Sequence, residues 1–190
     1  MITDLKRDYF FGASDTYTIM MSFDTKTFQK WWQVKIGAEE PITDNIYTRA
    51  GNLYEQPILD VLLVPYRNEV FQVGQIRVNL DGRTDESVVE VKTHKNAYKL
   101  SKAHWMQCQV EMFASVSSHA ILVAYQMFDE DYELAEEGLV GEIDLNRIEI
   151  FPLEYDEGFI TQYLERVNYL SKCFREEVIP SESDFSLSRA

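Results

Sequence analysis

The segments NLDG at Asn79–Gly82 and EVK at Glu90–Lys92 decide the predicted fold. Asp81 ends one predicted strand, while Glu90 and Lys92 lie two residues apart on the next and so point to the same face. If the two strands pair as a hairpin, both carboxylates and the lysine converge at one edge of a sheet. Carboxylates bind Mg²⁺, which keeps water ligands and accepts phosphate oxygens. The segments indicate a divalent-cation site, where Lys92 orients or deprotonates a water molecule, or neutralises charge on phosphate.

The alternative for Glu-x-Lys is an ordinary surface ion pair on a hairpin. Three features favour a site instead, the first being the valines that flank the pair and suggest a strand buried on its other face. The second is the position of Asp81 in the sequence, at a distance from Glu90 that a hairpin can bring together. The third is a basic run between Glu90 and Glu111, an interval without acidic residues that contains Lys92, Lys95, Lys99 and Lys102. Such a run is typical of a surface that follows a phosphate backbone.

The elements around this site predict an α/β fold with a mixed central β-sheet flanked by α-helices. Ser14 is a candidate N-cap of a first helix. Helical periodicity or capping predicts further helices over 25–36, 47–63, 101–115 and 155–177, and strands are predicted over 71–80, 88–93 and 120–125, with one or two more in 140–151. We expect a single domain over residues 1–179 and a flexible polar tail over residues 180–190.

The net charge of −14 argues at first against a nucleic-acid-binding protein, because such proteins usually carry a basic excess. The charge is unevenly distributed: residues 1–110 hold 13 Lys and Arg against 14 Asp and Glu, whereas residues 111–190 hold 5 against 18. The acidic surplus therefore lies after the candidate site. It suits either an outer surface that repels DNA away from the site or a face that docks a partner protein.

The two cysteines, Cys108 and Cys173, lie far apart and outside any C-x-x-C pattern. We therefore expect reduced core thiols, and we exclude a disulfide framework, a zinc ribbon and an iron–sulfur cluster. The sequence shows no signal-peptide core and no apolar run long enough to span a membrane. These features predict a soluble cytoplasmic protein without a membrane partner.

Four blocks of sequence extend the pattern beyond the cation site. They are RDYFFGAS at Arg7–Ser14, GNLYE at Gly51–Glu55, the DG and EVK segments, and HWMQCQ at His104–Gln109, which is followed by Met112-Phe113. In this order they resemble the PD-(D/E)xK nuclease superfamily and, within it, the YqaJ-type viral recombinase group that includes the lambda-type phage exonucleases. The resemblance extends over residues 5–126. It departs from the family pattern at Asn79-Leu80, where Ser or Thr followed by Pro is frequent, and at His104, where an aromatic residue is usual.

The resemblance implies a restriction-endonuclease-like fold and a role for each matched residue. Asp81, Glu90 and the backbone carbonyl of Val91 would bind Mg²⁺ (or Mn²⁺), and Glu55 would support the metal directly or through water. Lys92 would assist the attacking water, and Gln107 would position the lysine or the nucleophile. Gln109 faces another way on a helix, so we favour Gln107 for the site. A solvated helical carboxylate is the alternative for Glu55.

Contacts with DNA phosphate are implied for Arg7 and Ser14, which would hold a 5′-phosphate or a nearby backbone phosphate. The alternatives are a solvated charge for Arg7 and a simple N-cap for Ser14, although a helix N-terminus also binds phosphate. The other candidates for phosphate contact are Asn79, Lys95, Lys99 and Lys102. None of them is an unambiguous equivalent of the family's terminal-phosphate residue, which leaves the polarity of cleavage open.

The resemblance implies a Mg²⁺-dependent deoxyribonuclease, most readily a 5′→3′ exonuclease on double-stranded DNA ends that supplies single strands to an annealing protein in phage recombination. It also implies a homo-oligomer, a trimeric ring in the type case, acting in the cytoplasm of a bacterial host and encoded by a phage or prophage. Two alternatives remain. One is a structure-specific endonuclease or nickase with the same core, and the other is a catalytically silent DNA-binding or regulatory protein.

Overall fold

The structure, a computed structural model, describes residues 10–40 and 45–188. A short 3₁₀ helix at Ala13–Asp15 precedes the first α-helix. The α-helices are α1 (Thr16–Ile19), α2 (Lys26–Lys35), α3 (Ile46–Val61), α4 (Lys102–Ser115), α5 (Asp129–Glu136), α6 (Glu157–Glu176) and α7 (Glu182–Ser188). The strands are β1 (Tyr66–Arg67), β2 (Val70–Val73), β3 (Ile76–Asn79), β4 (Gly82–Arg83), β5 (Ser87–His94), β6 (His119–Gln126) and β7 (Ile148–Glu154).

The central sheet is mixed, as predicted, and has the strand order β1-β4-β5-β6-β7. β4 and β5 form the antiparallel pair that brings the two decisive segments together, with Gly82 opposite Val89. β5 and β6 are parallel, and the helix α4 provides the crossover that a parallel pair requires. β2 and β3 form a separate antiparallel hairpin. Among the described residues, no helix combines the length and the apolar character that crossing a bilayer would need.

Apolar residues alternate along β5 between two cores, one on each face of the sheet. Val88 belongs to the larger core, which also contains buried residues of α2, α4 and α6. Val89 and Val91 belong to the smaller core with residues of α3. Glu90 is buried between them and shares the face of Val88. The strand therefore presents Glu90 and Lys92 to the same side of the sheet as α4.

Three parts of the chain differ from the predicted elements. Residues 71–80 form most of the β2–β3 hairpin instead of one strand, because Gly74, with φ +57°, reverses the chain. Ser14 lies inside the 3₁₀ helix and is not an N-cap; the side chain of Asp15 accepts the N–H of Gly12 instead. Residues 129–136, for which we predicted no element, form α5. Both cysteines are free and buried, as expected.

The C-terminal segment corrects the expectation of a flexible tail, because residues 182–188 form α7 and pack on the larger core. Phe185 is buried and its ring lies 5.6 Å from the ring of Phe23. Glu182 Oε1 accepts the N–H of Phe23 at 2.9 Å. Arg166 of α6 completes the junction by donating to the carbonyl oxygens of Ile19 (2.6 Å) and Met21. One apolar residue in a polar segment thus anchors a helix.

Replacing Phe185 by alanine should lower the free energy of unfolding by about 3 kcal/mol, because the substitution empties a buried aromatic site. Leu187 lies on the same helix with 74% of its surface exposed, and its replacement by alanine should change stability by less than about 0.5 kcal/mol. Urea unfolding, monitored by circular dichroism, measures the change in stability for each variant. Equal effects of the two substitutions would show that α7 does not pack on the core.

Candidate active site

Asp81 is held in place by the turn from β3 into β4. Its Oδ2 accepts the backbone N–H of Val91 on β5 at 2.9 Å, which ties the carboxylate to the neighbouring strand. Gly82 is needed beside it for space: a Cβ there would lie 2.8 Å from Val64 Cγ1 and 3.0 Å from Leu59 Cδ2. The Asp-Gly pair therefore lets the end of α3 pack closely against β4, and that packing fixes the position of the Asp81 carboxylate.

Glu90 occupies the centre of the site and is 1% exposed. Its Oε1 accepts from Gln107 Nε2 at 2.6 Å and forms an ion pair with Lys92 Nζ. Its Oε2 is buried and has no hydrogen-bond partner among the described residues. An unpaired buried acceptor of this kind costs about 1–3 kcal/mol or more when it belongs to a charged group. Glu90 thus has one oxygen fully engaged with protein and a second that is suited to a cation.

Gln107 lies on the face of α4 that covers β5, where its Nε2 also donates to Glu111 Oε1 at 2.9 Å. Glu111 is 1% exposed, and its Oε2 is also buried without a partner among the described residues. In the sequence, Glu111 marks the end of the basic run and was not predicted to be a site residue. Its spacing of four residues from Gln107, which places both on one helical face, is the signal that identifies it.

Gln109 points away from this site. Its Nε2 donates to the carbonyl oxygen of Glu154 at 2.8 Å, and its Oε1 accepts the N–H of Asp156 at 2.7 Å. These bonds join α4 to the turn between β7 and α6. The two glutamines of the motif therefore divide between a structural junction and the carboxylate cluster.

Glu55 reaches the edge of the cluster from α3, where it is half-buried and accepts from Gln56 Nε2 at 3.0 Å. Gly51, one turn earlier, permits the close approach, because a Cβ there would lie 3.1 Å from Thr93 Oγ1 on β5. Burial raises the pKa of the Glu55 carboxyl, and the charge of Glu90 raises it further. The Gly-x-x-x-Glu block thus brings a third carboxyl group into electrostatic range of Glu90.

The cluster holds more carboxyl groups than cations. Burial, followed by the charges of Glu90 and Glu55, raises the pKa of Asp81 to about 9. Burial and Glu90 likewise hold the pKa of Glu111 well above its usual range. Burial alone would lower the pKa of Lys92, but the charge of Glu90 and the hydrogen bond to it raise that pKa above its ordinary value. Lys92 is therefore an ammonium group suited to stabilising negative charge, and the carboxyl groups favour additional positive charge.

The donor set fits a hard divalent cation such as Mg²⁺ better than a metal held entirely by protein. Over residues 10–40 and 45–188, no three acidic, histidine or cysteine side chains are arranged to hold a metal ion. The predicted set needs only Asp81, Glu90 and the carbonyl of Val91, and Mg²⁺ completes such sets with water. The unpaired oxygen of Glu90 supports this fit. Glu55 does not complete a set of three carboxylates among the described residues.

The predicted phosphate-binding residues are spread over a wider surface. Lys92 does not belong to a surface run, because it turns into the carboxylate cluster. Lys95 is exposed and pairs with Asp129, a residue of α5. The remaining candidates in the described part of the chain, Ser14, Asn79, Lys99 and Lys102, are exposed. Arg7 lies outside the described residues.

Three neighbouring rings, those of His94, Tyr98 and His104, lie beside the site near the start of α4. The Tyr98 hydroxyl and His104 Nδ1 share a hydrogen bond of 2.6 Å, and their rings are parallel with centroids 5.9 Å apart. His94, two residues beyond Lys92 on β5, lies 5.1 Å from the ring of Tyr98. Burial raises the pKa of Tyr98 to about 12 and lowers that of His104. Tyr98 places an aromatic ring beside His104, the position at which the family that the sequence resembles usually has an aromatic residue.

Comparison with solved structures identifies the same fold in exonucleases. A phage-related exonuclease from Haemophilus somnus 129PT matches with a TM-score of 0.68 and 15% identity, covering 90% of this chain and 97% of its own. An alkaline exonuclease from Laribacter hongkongensis, LHK-Exo, matches with a TM-score of 0.65 and 14% identity over 97% of this chain and 94% of its own. The complex of LHK-Exo with dAMP matches with a TM-score of 0.68 and 14% identity, covering 91% of each chain.

These likenesses confirm the predicted restriction-endonuclease-like fold, since at such low identity they concern the fold. The structural neighbours are phage-related and alkaline exonucleases, the kind of protein that the sequence blocks resemble. No protein-family model matches the sequence. No curated protein matches it either.

Proposed function

We propose that this protein is a Mg²⁺- or Mn²⁺-dependent DNA exonuclease that degrades double-stranded DNA from its ends. One observation carries the proposal: buried Glu90 is bound on one oxygen by Lys92 and Gln107, is unpaired on the other among the described residues, and lies in electrostatic range of Asp81. Such a cluster is suited to a cation that acts on phosphodiesters. The exonuclease neighbours in fold and the ordered sequence blocks support a nuclease over other phosphate chemistries.

Each residue of the site has a distinct task in this proposal. Asp81, Glu90 and the Val91 carbonyl would hold the divalent cation, which when bound supplies Lewis-acid stabilisation of charge on the phosphate. Lys92 stabilises the negative charge that develops on the phosphate as water attacks, because it remains protonated beside Glu90. Gln107 orients the reacting groups from α4, and Glu55 supports the cation through water.

The finer features of the activity are part of the same proposal. We expect attack that leaves a 5′-phosphate on the product, progress in the 5′→3′ direction, and a role in preparing single strands for an annealing protein in phage recombination. Ser14, Asn79, Lys95, Lys99 and Lys102 are the described candidates for contact with DNA phosphate, and Arg7 is a further one. A ring-shaped homo-oligomer would account for sustained degradation along a duplex.

The proposal predicts that the protein degrades linear duplex DNA in Mg²⁺ and that excess chelator stops degradation completely. Linear duplexes labelled on each strand, with or without a 5′-phosphate, would reveal the direction and the dependence on that phosphate when products are resolved on denaturing gels. Covalently closed circular DNA is the matched control and should stay intact. Nicking or linearisation of the circle would favour the endonuclease alternative, and an absence of any cleavage in Mg²⁺ or Mn²⁺ would favour the silent DNA-binding alternative.

A further inference from the structure

Gln107 is held between two buried carboxyl groups. Its single amide nitrogen, Nε2, lies 2.6 Å from Glu90 Oε1 and 2.9 Å from Glu111 Oε1. An amide nitrogen carries two hydrogens, so these bonds use both. In the structure the NH₂ end of the amide faces both carboxyl groups, and the ionised Glu90, which can only accept, favours this orientation.

This orientation has a consequence for the other end of the Gln107 side chain. Its Oε1 is directed away from the two carboxyl groups and makes no hydrogen bond to any residue in the described ranges. It is therefore a fixed acceptor on the face of α4 that covers Glu90 and Lys92. An acceptor suits a water molecule, which can donate a hydrogen, and does not suit a phosphate oxygen, which cannot.

Packing alone does not explain why a glutamate occupies position 111. It is 1% exposed, its neighbours Val110 and Met112 are buried apolar residues, and its Oε2 has no partner among the described residues. An apolar side chain would fill this position without the cost of burying a polar group. Its one side-chain hydrogen bond among the described residues is the bond to Gln107. The polar identity of Glu111 is thus tied to Gln107.

Building on the proposed function, we propose that Glu111 is a positioning residue: by accepting one hydrogen of the Gln107 amide it holds Gln107 Oε1 toward the attacking water. Glu90 accepts the other hydrogen and so shares the task from β5. In this role Glu111 acts through Gln107 and needs no contact of its own with the DNA or the cation. This action requires an oxygen at the position of Glu111 Oε1 and does not require a charge there.

Two substitutions separate the acceptor from the rest of the side chain. Glu111→Leu removes the acceptor, frees the Gln107 amide to rotate, and should lower kcat on linear duplex DNA by about 10- to 100-fold, with KM changed less than about twofold. Glu111→Gln keeps an oxygen near the same place and should retain activity within about threefold of wild type. Activity of Glu111→Leu equal to wild type would overturn the proposal, and so would a loss in Glu111→Gln as large as that in Glu111→Leu.

A matched control comes from the same helix. Gln109→Met removes a buried polar side chain that joins α4 to the turn before α6 and lies outside the site. This variant should unfold at a lower temperature yet keep the wild-type kcat per folded molecule. If its kcat falls as far as that of Glu111→Leu, disturbance of α4 explains both losses and the proposal fails.

A double-mutant cycle with Gln107→Ala tests whether Glu111 acts through Gln107. In the Gln107→Ala background, Glu111→Leu should cause no further loss of kcat, whereas multiplied losses would overturn the proposal. The same cycle is measured by thermal unfolding in chelator, where the shifts of the single variants should fail to add by about 2 °C or more. Additive shifts would contradict the pairing. An inactive wild type with non-additive shifts would overturn the proposed function and leave the pairing intact, so the two failures are distinguishable.

Discussion

Lys92→Ala should reduce kcat on linear duplex DNA by about 10³-fold, because it removes the ammonium group that the site directs at developing negative charge. The Lys92 side chain is 26% exposed, so its cation can reach a bound phosphate while it remains paired with Glu90. The burial of the stem and the pairing fix its position before substrate arrives. Single-turnover digestion with excess enzyme measures this chemical step apart from product release.

The matched control for this substitution is Lys172→Ala, which removes an exposed lysine of α6 outside the proposed site. It should degrade DNA at the wild-type rate, so that a general loss of positive charge cannot explain the effect at Lys92. A Lys92→Ala variant within about tenfold of wild type would contradict the assignment, because a loss of that size corresponds to only about 1.4 kcal/mol of transition-state stabilisation.

Asp81→Asn should strongly reduce both the activity and the response of stability to divalent cations. In wild type, Mg²⁺ or Mn²⁺ at about 100 times its dissociation constant should raise the unfolding midpoint by about 5–10 °C relative to chelator, since only the folded chain brings the ligands together. The substitution removes a carboxylate yet leaves an amide oxygen that can accept the N–H of Val91. The variant should therefore fold, show little cation-dependent shift, and lose about 10³-fold in kcat.

The stability of this variant in chelator is a second readout. Asp81 is buried beside Glu90 and Glu55, whose charges disfavour its ionised form, so a neutral amide in its place should leave the metal-free protein at least as stable as wild type. Asp60→Asn is the control: Asp60 is exposed on α3, pairs with Arg67, and its substitution should keep the full cation-dependent shift. A cation-dependent shift in Asp81→Asn equal to that of wild type would show that the ion binds elsewhere.

The central part of the fold was predictable because its signals are local. The alternating valines of β5, the short apolar run of β6 and the capped helix between them follow directly from periodicity, and together they form the parallel pair with its crossover. The hairpin geometry that brings Asp81 to Val91 follows from their separation along the chain. The fold brings Asp81 into electrostatic range of Glu90, and Gln107 donates to Glu90; their roles stay predictions.

The parts that were not predicted depend on contacts between distant residues. Lys95 looked like a phosphate-binding residue because no acidic residue lies near it in sequence, but Asp129 reaches it through the fold. The spacing of Glu111 from Gln107 places both on one face of α4, but the bond from Gln107 to Glu90 is what shows that this face covers the carboxylate cluster. The polar C-terminal segment looked loose because only Phe185 could anchor it, and the apolar site that receives that ring is built by Phe23 and Tyr169.

The junction made by Arg166 has a consequence for the order of folding. Its bond to the carbonyl oxygen of Ile19 joins residues 147 positions apart, and the bond from Phe23 to Glu182 joins residues 159 positions apart. Closing loops of this length has an entropic cost that contacts closer in sequence largely avoid. During synthesis, these two bonds cannot form until α6 and α7 have emerged, whereas the β5–α4–β6 unit, whose contacts are closer in sequence, can form first.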